Sequence, residues 1–254
     1  MKKQLLFTGF VLGAALAFAG GVENKTNMST GYLRNPSRNA ETSRPEAAFY
    51  NIAGTAYLQD GLWLELGNQF VFKEYTNSVD DAQLKAVGVD GDYSDTTTVW
   101  LYPDFDAVYR HGDFSVFGNF GIYAGGGTLN YDDGTALTGA LLASKGKELA
   151  AAGAPLLIAA AKDHSVVINS ITYGGTLGGA YKFLDGMVSV GAGLRMVYGT
   201  QSMELESSSL KALNGGDTIS YDAKALGFGG VFGVHARPVD KLDVSLQYST
   251  ITKI

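Results

Sequence analysis

Three histidines, a run of aspartates and one arginine are the residues of this chain whose types could do chemistry. His111, His164 and His235 stand far apart, and none belongs to an H-x-x-x-H or H-E-x-x-H pattern. A zinc hydrolase therefore has no ready ligand set, and the expected place for each histidine is a surface or a lumen wall. Asp90, Asp92 and Asp95 crowd one loop that would attract calcium, but the EF-hand spacing and its distal Glu are missing, so a solvated loop is expected. The absence of Cys excludes disulfides, thiolate metal sites and Cys nucleophiles. No G-x-S-x-G elbow occurs, and a hydrolase would have to assemble its triad from scattered strands. The expectation is a protein that is not an enzyme and uses no cofactor and no metal. Arg195 has a different claim: on an inward face, a carboxylate-bearing cargo would need such a cation in a poorly hydrated space, while the competing reading pairs it with a lumen acid. Lys+Arg 19 against Asp+Glu 25, a net charge of -6, excludes a nucleic-acid partner, because phosphate neutralisation needs clustered basic residues.

The elements that must position these residues are long strands with a period of two. From Gly61, the residues Leu62, Leu64, Leu66, Phe70 and Phe72 fall on one face, against Trp63, Glu65, Gly67, Gln69 and Lys73. Met187 to Tyr198 repeats the pattern, with Val188, Val190, Ala192, Leu194, Met196 and Tyr198 opposite Ser189, Gly191, Gly193 and Arg195. Leu226, Phe228, Phe232 and Val234 oppose Gly227, Gly229, Gly233, His235 and Arg237, and Leu242, Val244, Leu246 and Tyr248 oppose Asp243, Ser245, Gln247 and Ser249. Phe114, Val116, Phe120 and Ile122 suggest a further strand. So do Val99, Leu101, Phe105, Ala107 and Tyr109 with Asp104 and Asp106 opposite, and Ile171, Tyr173, Leu177, Tyr181 and Phe183. The total is about seven long strands. Gly, at 34 of 254 residues, is nearly twice its usual ~7% and crowds the second face, leaving room where a curved wall or a plug brings backbones close.

Connections alternate in length. Asp60-Gly61, His111-Gly112-Asp113, Leu184-Asp185-Gly186 and Pro238-Val239-Asp240 read as tight turns, while Thr76 to Asp95, Asn130 to Ser165 and Ser202 to Thr218 are long. Short turns alternating with long external loops are the plan of an outer-membrane barrel, and a soluble sandwich offers no reason for it. Lys2 and Lys3, the apolar run Leu5 to Phe18 and Ala17-Phe18-Ala19 read as a secretory signal over residues 1-19. Tyr75, Tyr109, Tyr123, Tyr181 and Tyr198 would form interfacial girdles. In the second long loop, Leu137 to Ala161 is expected to be helical up to a break near Pro155, either as a lid over the pore mouth or as a loop helix with no gating role.

Ahead of the first strand, Tyr32-Leu33-Arg34-Asn35-Pro36-Ser37-Arg38-Asn39-Ala40 is followed by Pro45-Glu46-Ala47-Ala48-Phe49-Tyr50-Asn51-Ile52-Ala53-Gly54. This segment resembles the N-terminal hatch of the FadL-type outer-membrane transporters of long-chain fatty acids and other hydrophobic compounds, in which Asn-Pro-Ala-Gly commonly precedes the first barrel strand. Asn51, Ala53 and Gly54 match; Ile52 stands in place of the proline, which frees φ and restores an N–H donor. The resemblance implies an antiparallel transmembrane β-barrel with a hatch or plug over residues 20-58 and barrel strands over 59-254, and it makes Asn51, Ala53 and Gly54 hatch or gating residues. It implies a hydrophobic small-molecule cargo moving beside the hatch, outer-membrane lipids as the other partner, and the bacterial outer membrane as the location. Such barrels typically use fourteen strands, so these seven are expected to be the N-terminal half of a chain that is monomeric at full length. A structural or adhesive barrel without transport is the alternative.

Overall fold

The computed structural model describes residues 31, 38–86, 88–148, 158–214 and 218–252. In chain order the elements are α1 (Ala47–Tyr50), a 3-10 turn (Ile52–Tyr57), β1 (Gly61–Asn68), β2 (Val71–Asn77), α2 (Ala82–Ala86), β3 (Tyr93–Val99), β4 (Pro103–His111), β5 (Phe114–Tyr131), α3 (Ala136–Glu148), β6 (His164–Phe183), β7 (Val188–Ser207), α4 (Ser208–Asn214), β8 (Thr218–Val239) and β9 (Leu242–Ser249). The hairpin turns are too short to cross over, so the strands pair antiparallel in the order β1-β4-β5-β6-β7-β8-β9, and β2 and β3 form a separate two-stranded sheet. Gly112 (φ 60) makes the β4–β5 turn, and Leu184, Asp185 and Gly186, all at positive φ, make the β6–β7 turn. Asp60-Gly61 is not a hairpin turn but the entry to β1, held by an Arg110 to Asp60 ion pair of 2.6 Å.

The period of two is realised as two faces of one curved sheet. Leu62, Leu64, Leu66, Leu194, Met196, Leu226, Phe228, Val244 and Leu246 are all exposed on the outer face. The exposed apolar band runs from Val190 to Tyr198 on β7 and from Leu226 to Val234 on β8; either stretch matches the 9–11 residues that a tilted strand needs to cross a bilayer. Phe120 and Tyr173 stack on this face with ring planes 7° apart. Among the described residues no helix is long and apolar enough to cross a membrane, which bears only on helices.

Several expectations need correction. The run from Gly61 is broken at Gln69-Phe70, and the run from Val99 at Trp100 to Tyr102, where the chain leaves the main sheet. Ile122 is buried rather than facing out. Strands β5 to β8 extend well beyond the apolar band, so β6 begins at His164 and β7 runs on to Ser207, inside what read as loops. Tyr109, Tyr181 and Tyr198 face outward, but Tyr123 turns inward to hydrogen-bond Asn119, and Tyr75 packs into the loop core. The helix in the second long loop starts at Ala136; Pro155 and the signal-like residues 1-19 lie outside the described residues.

Two apolar cores sit on either side of the sheet's middle. At the long-loop end, Val79, Val89, Tyr131, Leu142, Val166, Met203, Leu205 and Leu210 bring all three long connections together. On the concave face, Ala47, Ala48, Ile52 and Leu58 of the N-terminal segment pack on Val108, Phe117 and Val231 of β4, β5 and β8.

Candidate functional site

Asn51 organises the turn that the N-terminal segment makes on the concave face. Its Oδ1 accepts from Gly54 N at 3.2 Å, and its Nδ2 donates to Glu41 O at 2.9 Å. That crowding explains Gly54: a Cβ there would lie 2.2 Å from Asn51 Nδ2 and 2.3 Å from Glu41 O. Ile52 does what proline could not, because its N–H donates to Gln247 Oε1 at 3.0 Å while Gln247 Nε2 donates back to Phe49 O at 3.0 Å. Ala53 is fully buried and its carbonyl accepts from Ser189 Oγ at 2.7 Å.

The wall supplies the partners. Asn51 Nδ2 also donates to His235 Nδ1 at 2.9 Å, which leaves the proton on Nε2, and that N–H donates to Asp243 Oδ1 at 2.8 Å. Arg237 Nε donates to the same carboxylate at 2.8 Å, its other end reaches Thr42 Oγ1 at 3.0 Å, and the guanidinium lies 4.8 Å from the Tyr57 ring centre. Farther round, Thr55 and Ser115 join hydroxyls at 2.8 Å and Asn119 Nδ2 donates to Ala48 O at 2.7 Å. The segment is thus hydrogen-bonded to β5, β7, β8 and β9. Glycines allow the contact: a Cβ at Gly191 would be 3.1 Å from Ala53 N, and one at Gly233 would be 2.8 Å from Ile52 Cγ1.

Beside this segment the wall is interrupted. The β4–β5 ladder ends at Asp104–Gly121, next to Pro103 with its missing N–H, whereas β5 stays paired with β6 as far as Tyr131–Val166. Strand β5 bends here through two bulges that leave Tyr123 and Gly126 unpaired, with Gly125 and Gly127 at φ 81 and 97. Across the interruption, side chains replace the ladder: Tyr102 Oη donates to Gly125 O at 3.3 Å, Lys73 Nζ reaches Gly126 O, and Asp95 accepts from Asn130 N at 3.1 Å. Asp95, expected in a solvated loop, is therefore a buried tie between β3 and β5. A narrow cleft of about 20 Å³, little more than the room one water takes, opens at the ladder's end, bordered by Phe49, Asp104, Asn119 and Tyr123 on the concave side and by Phe120, which otherwise faces outward.

Arg195 points to the concave face, as its period predicts. Its Nε donates to Thr176 Oγ1 at 3.4 Å and an Nη to Ser249 Oγ at 3.2 Å, and its guanidinium lies 5.8 and 5.4 Å from the Phe49 and Tyr123 ring centres. Among the described residues it has no carboxylate partner. Hydroxyls and rings take that place.

The fold is similar to that of the P. putida toluene transporter TodX. The crystal structure of that protein matches with a TM-score of 0.56 and 16% sequence identity, covering 83% of this chain and 52% of that one. The chain thus spans about half the length of TodX. No protein-family model and no curated protein matches the sequence.

The period of two put Arg195 on the concave face, and the structure gathers Asn51, Ala53 and Gly54, which the resemblance had singled out, into one turn with Arg195 nearby. It missed Ser115, Asn119, Ser189, His235 and Gln247 as the wall partners of that turn. Their signal was present: each is a polar side chain on the inward row of its strand, with Ser189, His235 and Gln247 in the company of Gly191 and Gly193, Gly229 and Gly233, and Asp243, Ser245 and Ser249 respectively, a row that lipid would not tolerate and a plugged lumen would use. Tyr57 Oη, also on this face, is pushed above the ordinary tyrosine range by burial, against the opposing pull of Ser189 and Arg237.

Proposed function

We propose that this chain forms the wall and hatch of a FadL-type transporter in the bacterial outer membrane, moving hydrophobic small molecules between the external medium and the bilayer. The observation that carries the reading is the end of the β4–β5 ladder at Asp104–Gly121, lying directly beside the segment that covers the concave face. A cargo held at the hatch by Phe49 and Tyr123 has only the cleft bordered by Phe120 to cross before it reaches lipid. Such a route needs no aqueous channel, which suits a molecule whose transfer out of water is already favourable by ~25 cal/mol per Å² of apolar surface. The likeness to a toluene transporter supports transport of this general kind, and aromatic or aliphatic hydrocarbons and fatty acids all fall within it.

In this reading Asn51, Ala53 and Gly54 are the seat of the hatch, Arg195 fixes the position of Phe49 and Tyr123, and the full-length protein works as a monomer surrounded by outer-membrane lipid. Cells with and without the full-length protein, supplied with radiolabelled toluene and radiolabelled oleate, test it. Faster initial uptake of either compound is expected when the protein is present. Equal uptake of both would overturn transport and leave a structural or adhesive barrel, and a large open-channel conductance in planar bilayers would favour a diffusion porin.

A further inference from the structure

The cleft at the wall break is lined by two buried carboxyl groups, and nothing in the transport of neutral hydrocarbons requires them. Asp104 and Asp106 point from β4 to the concave face, at 8% and 4% exposure. Gly67, across the ladder from Asp104, leaves the space its carboxylate fills: a Cβ there would be 2.4 Å from Oδ1. Both Asp104 oxygens are buried and have no hydrogen-bond partner among the described residues. Among the described residues, the charged groups that act on Asp106 are Asp104, Glu65 and Glu46, all of one sign. Arg44 reaches this group at 3.0 Å, and its contact is with Glu65. Arg195 lies 5.8 and 5.4 Å from the Phe49 and Tyr123 ring centres and forms no ion pair with either aspartate among the described residues.

A buried carboxyl without a donor stays ionised only where a positive charge meets it, and otherwise takes up a proton. The remaining walls are Asn119, Gly121 and the aromatic rings of Phe49, Tyr50, Phe120 and Tyr123, and aromatic surfaces attract a cation of low hydration rather than a bare metal ion. No group of three metal-ligating side chains occurs among the described residues. The geometry points to a subsite for the ammonium group of a hydrophobic amine, with Asp104 and Asp106 as the residues that set specificity at the exit from the lumen. This inference rests on the transport reading above and narrows its cargo. A protonated amine with an aromatic or alkyl body places its charge between the two carboxylates and its body toward Phe120 and the lipid, whereas a fatty-acid anion meets like charge at the same point.

Three probes that share one apolar body test the inference: phenylbutylamine, phenylbutanol and phenylbutyrate, bound to the full-length protein in detergent at neutral pH. The amine is expected to bind more tightly than the alcohol by about tenfold, and the carboxylate most weakly. In the doubly substituted Asp104→Asn, Asp106→Asn protein the amine's advantage over the alcohol is expected to vanish, while Asp240→Asn on the β8–β9 turn preserves it. Retention of a compact band in unheated gel electrophoresis shows that the variants fold, and the single Asp104→Asn change serves if the double one does not. Equal binding of amine and alcohol by the unaltered protein, tightest binding of the carboxylate, or an amine preference that survives the substitutions would each overturn the subsite and leave hydrophobic transport standing. Binding of none of the three would overturn both.

Discussion

Asn51 Nδ2 and His235 Nδ1 meet at 2.9 Å across 184 residues of sequence, and both side chains are buried. The contact joins the turn of the N-terminal segment to the sheet, and the same amide also closes the turn itself through Gly54 and Glu41. Local shape and docking are therefore carried by one side chain. Replacing Asn51 with Ala should orphan a buried imidazole nitrogen and a buried carbonyl, costing about 1–3 kcal/mol. A lower denaturation midpoint and greater sensitivity of cells to large antibiotics would be measured; an unchanged midpoint would contradict the role given to Asn51.

Two glycines of the same sheet should respond oppositely to one added methyl group. A Cβ at Gly191 would press on the Ala53 and Ile52 backbone at 3.1 to 3.2 Å, but at Gly118 it would meet Leu177 Cδ1 at an ordinary 3.6 Å. Gly191→Ala is expected to destabilise by about 1–3 kcal/mol through overpacking. Gly118→Ala is expected to be neutral or slightly favourable by restricting the unfolded chain. Urea titration of the two variants in detergent, compared pairwise, decides it, and equal effects would show that the concave face is not closely packed on the segment.

The bend of β5 depends on backbone that other residues rarely adopt. Gly125→Ala combines a positive φ of 81 with a Cβ placed 2.3 Å from Ser170 O. The left-handed conformation alone costs about 1–2 kcal/mol for a residue with a Cβ. Straightening of β5 should follow, with slower uptake of labelled toluene at unchanged protein level. Unaltered uptake in a folded Gly125→Ala protein would argue against an exit beside the bulge.

Acid should loosen one loop junction before the wall. Asp163, just ahead of β6 and outside the apolar band, has its carboxyl raised by partial burial but held below the usual carboxylate range overall by the hydroxyls of Ser208, Ser207 and Ser209 at 2.7, 2.9 and 3.1 Å. Since the folded state binds this proton less readily than the unfolded chain, its contribution is complete above about pH 4 and disappears as pH falls through the lowered folded value. Hydrogen exchange of residues 205–211 should be flat from neutral pH down to about pH 5, after correction for the intrinsic rate, and accelerate below about pH 4. In Asp163→Asn that added acceleration should be absent.

Much of this architecture is written in one-dimensional pattern. Alternation along β1, β6, β7, β8 and β9 follows from the strand's period of two, which lets a lipid-like exterior and a polar interior be read from composition alone, and Gly112 and Leu184-Asp185-Gly186 announce their turns because few residues accept those dihedrals. Asn51 and Gly54 stood out only through the resemblance of their segment to a hatch motif, and the structure adds the bond from Gly54 N to Asn51 Oδ1 that ties the two together. Pairings across the sheet and the lumen were not. Gln247 as acceptor for Ile52 N, His235 as acceptor for Asn51, and the end of the β4–β5 ladder at Gly121 depend on register and curvature, which arise only when strands distant in sequence close on one another. Asp104 and Asp106 show the division most plainly: their shared face follows from their spacing of two, but only the folded wall, with Gly67 opposite and the aromatic rings of the segment above, turns two inward aspartates into a buried carboxyl pair at the mouth of a cleft.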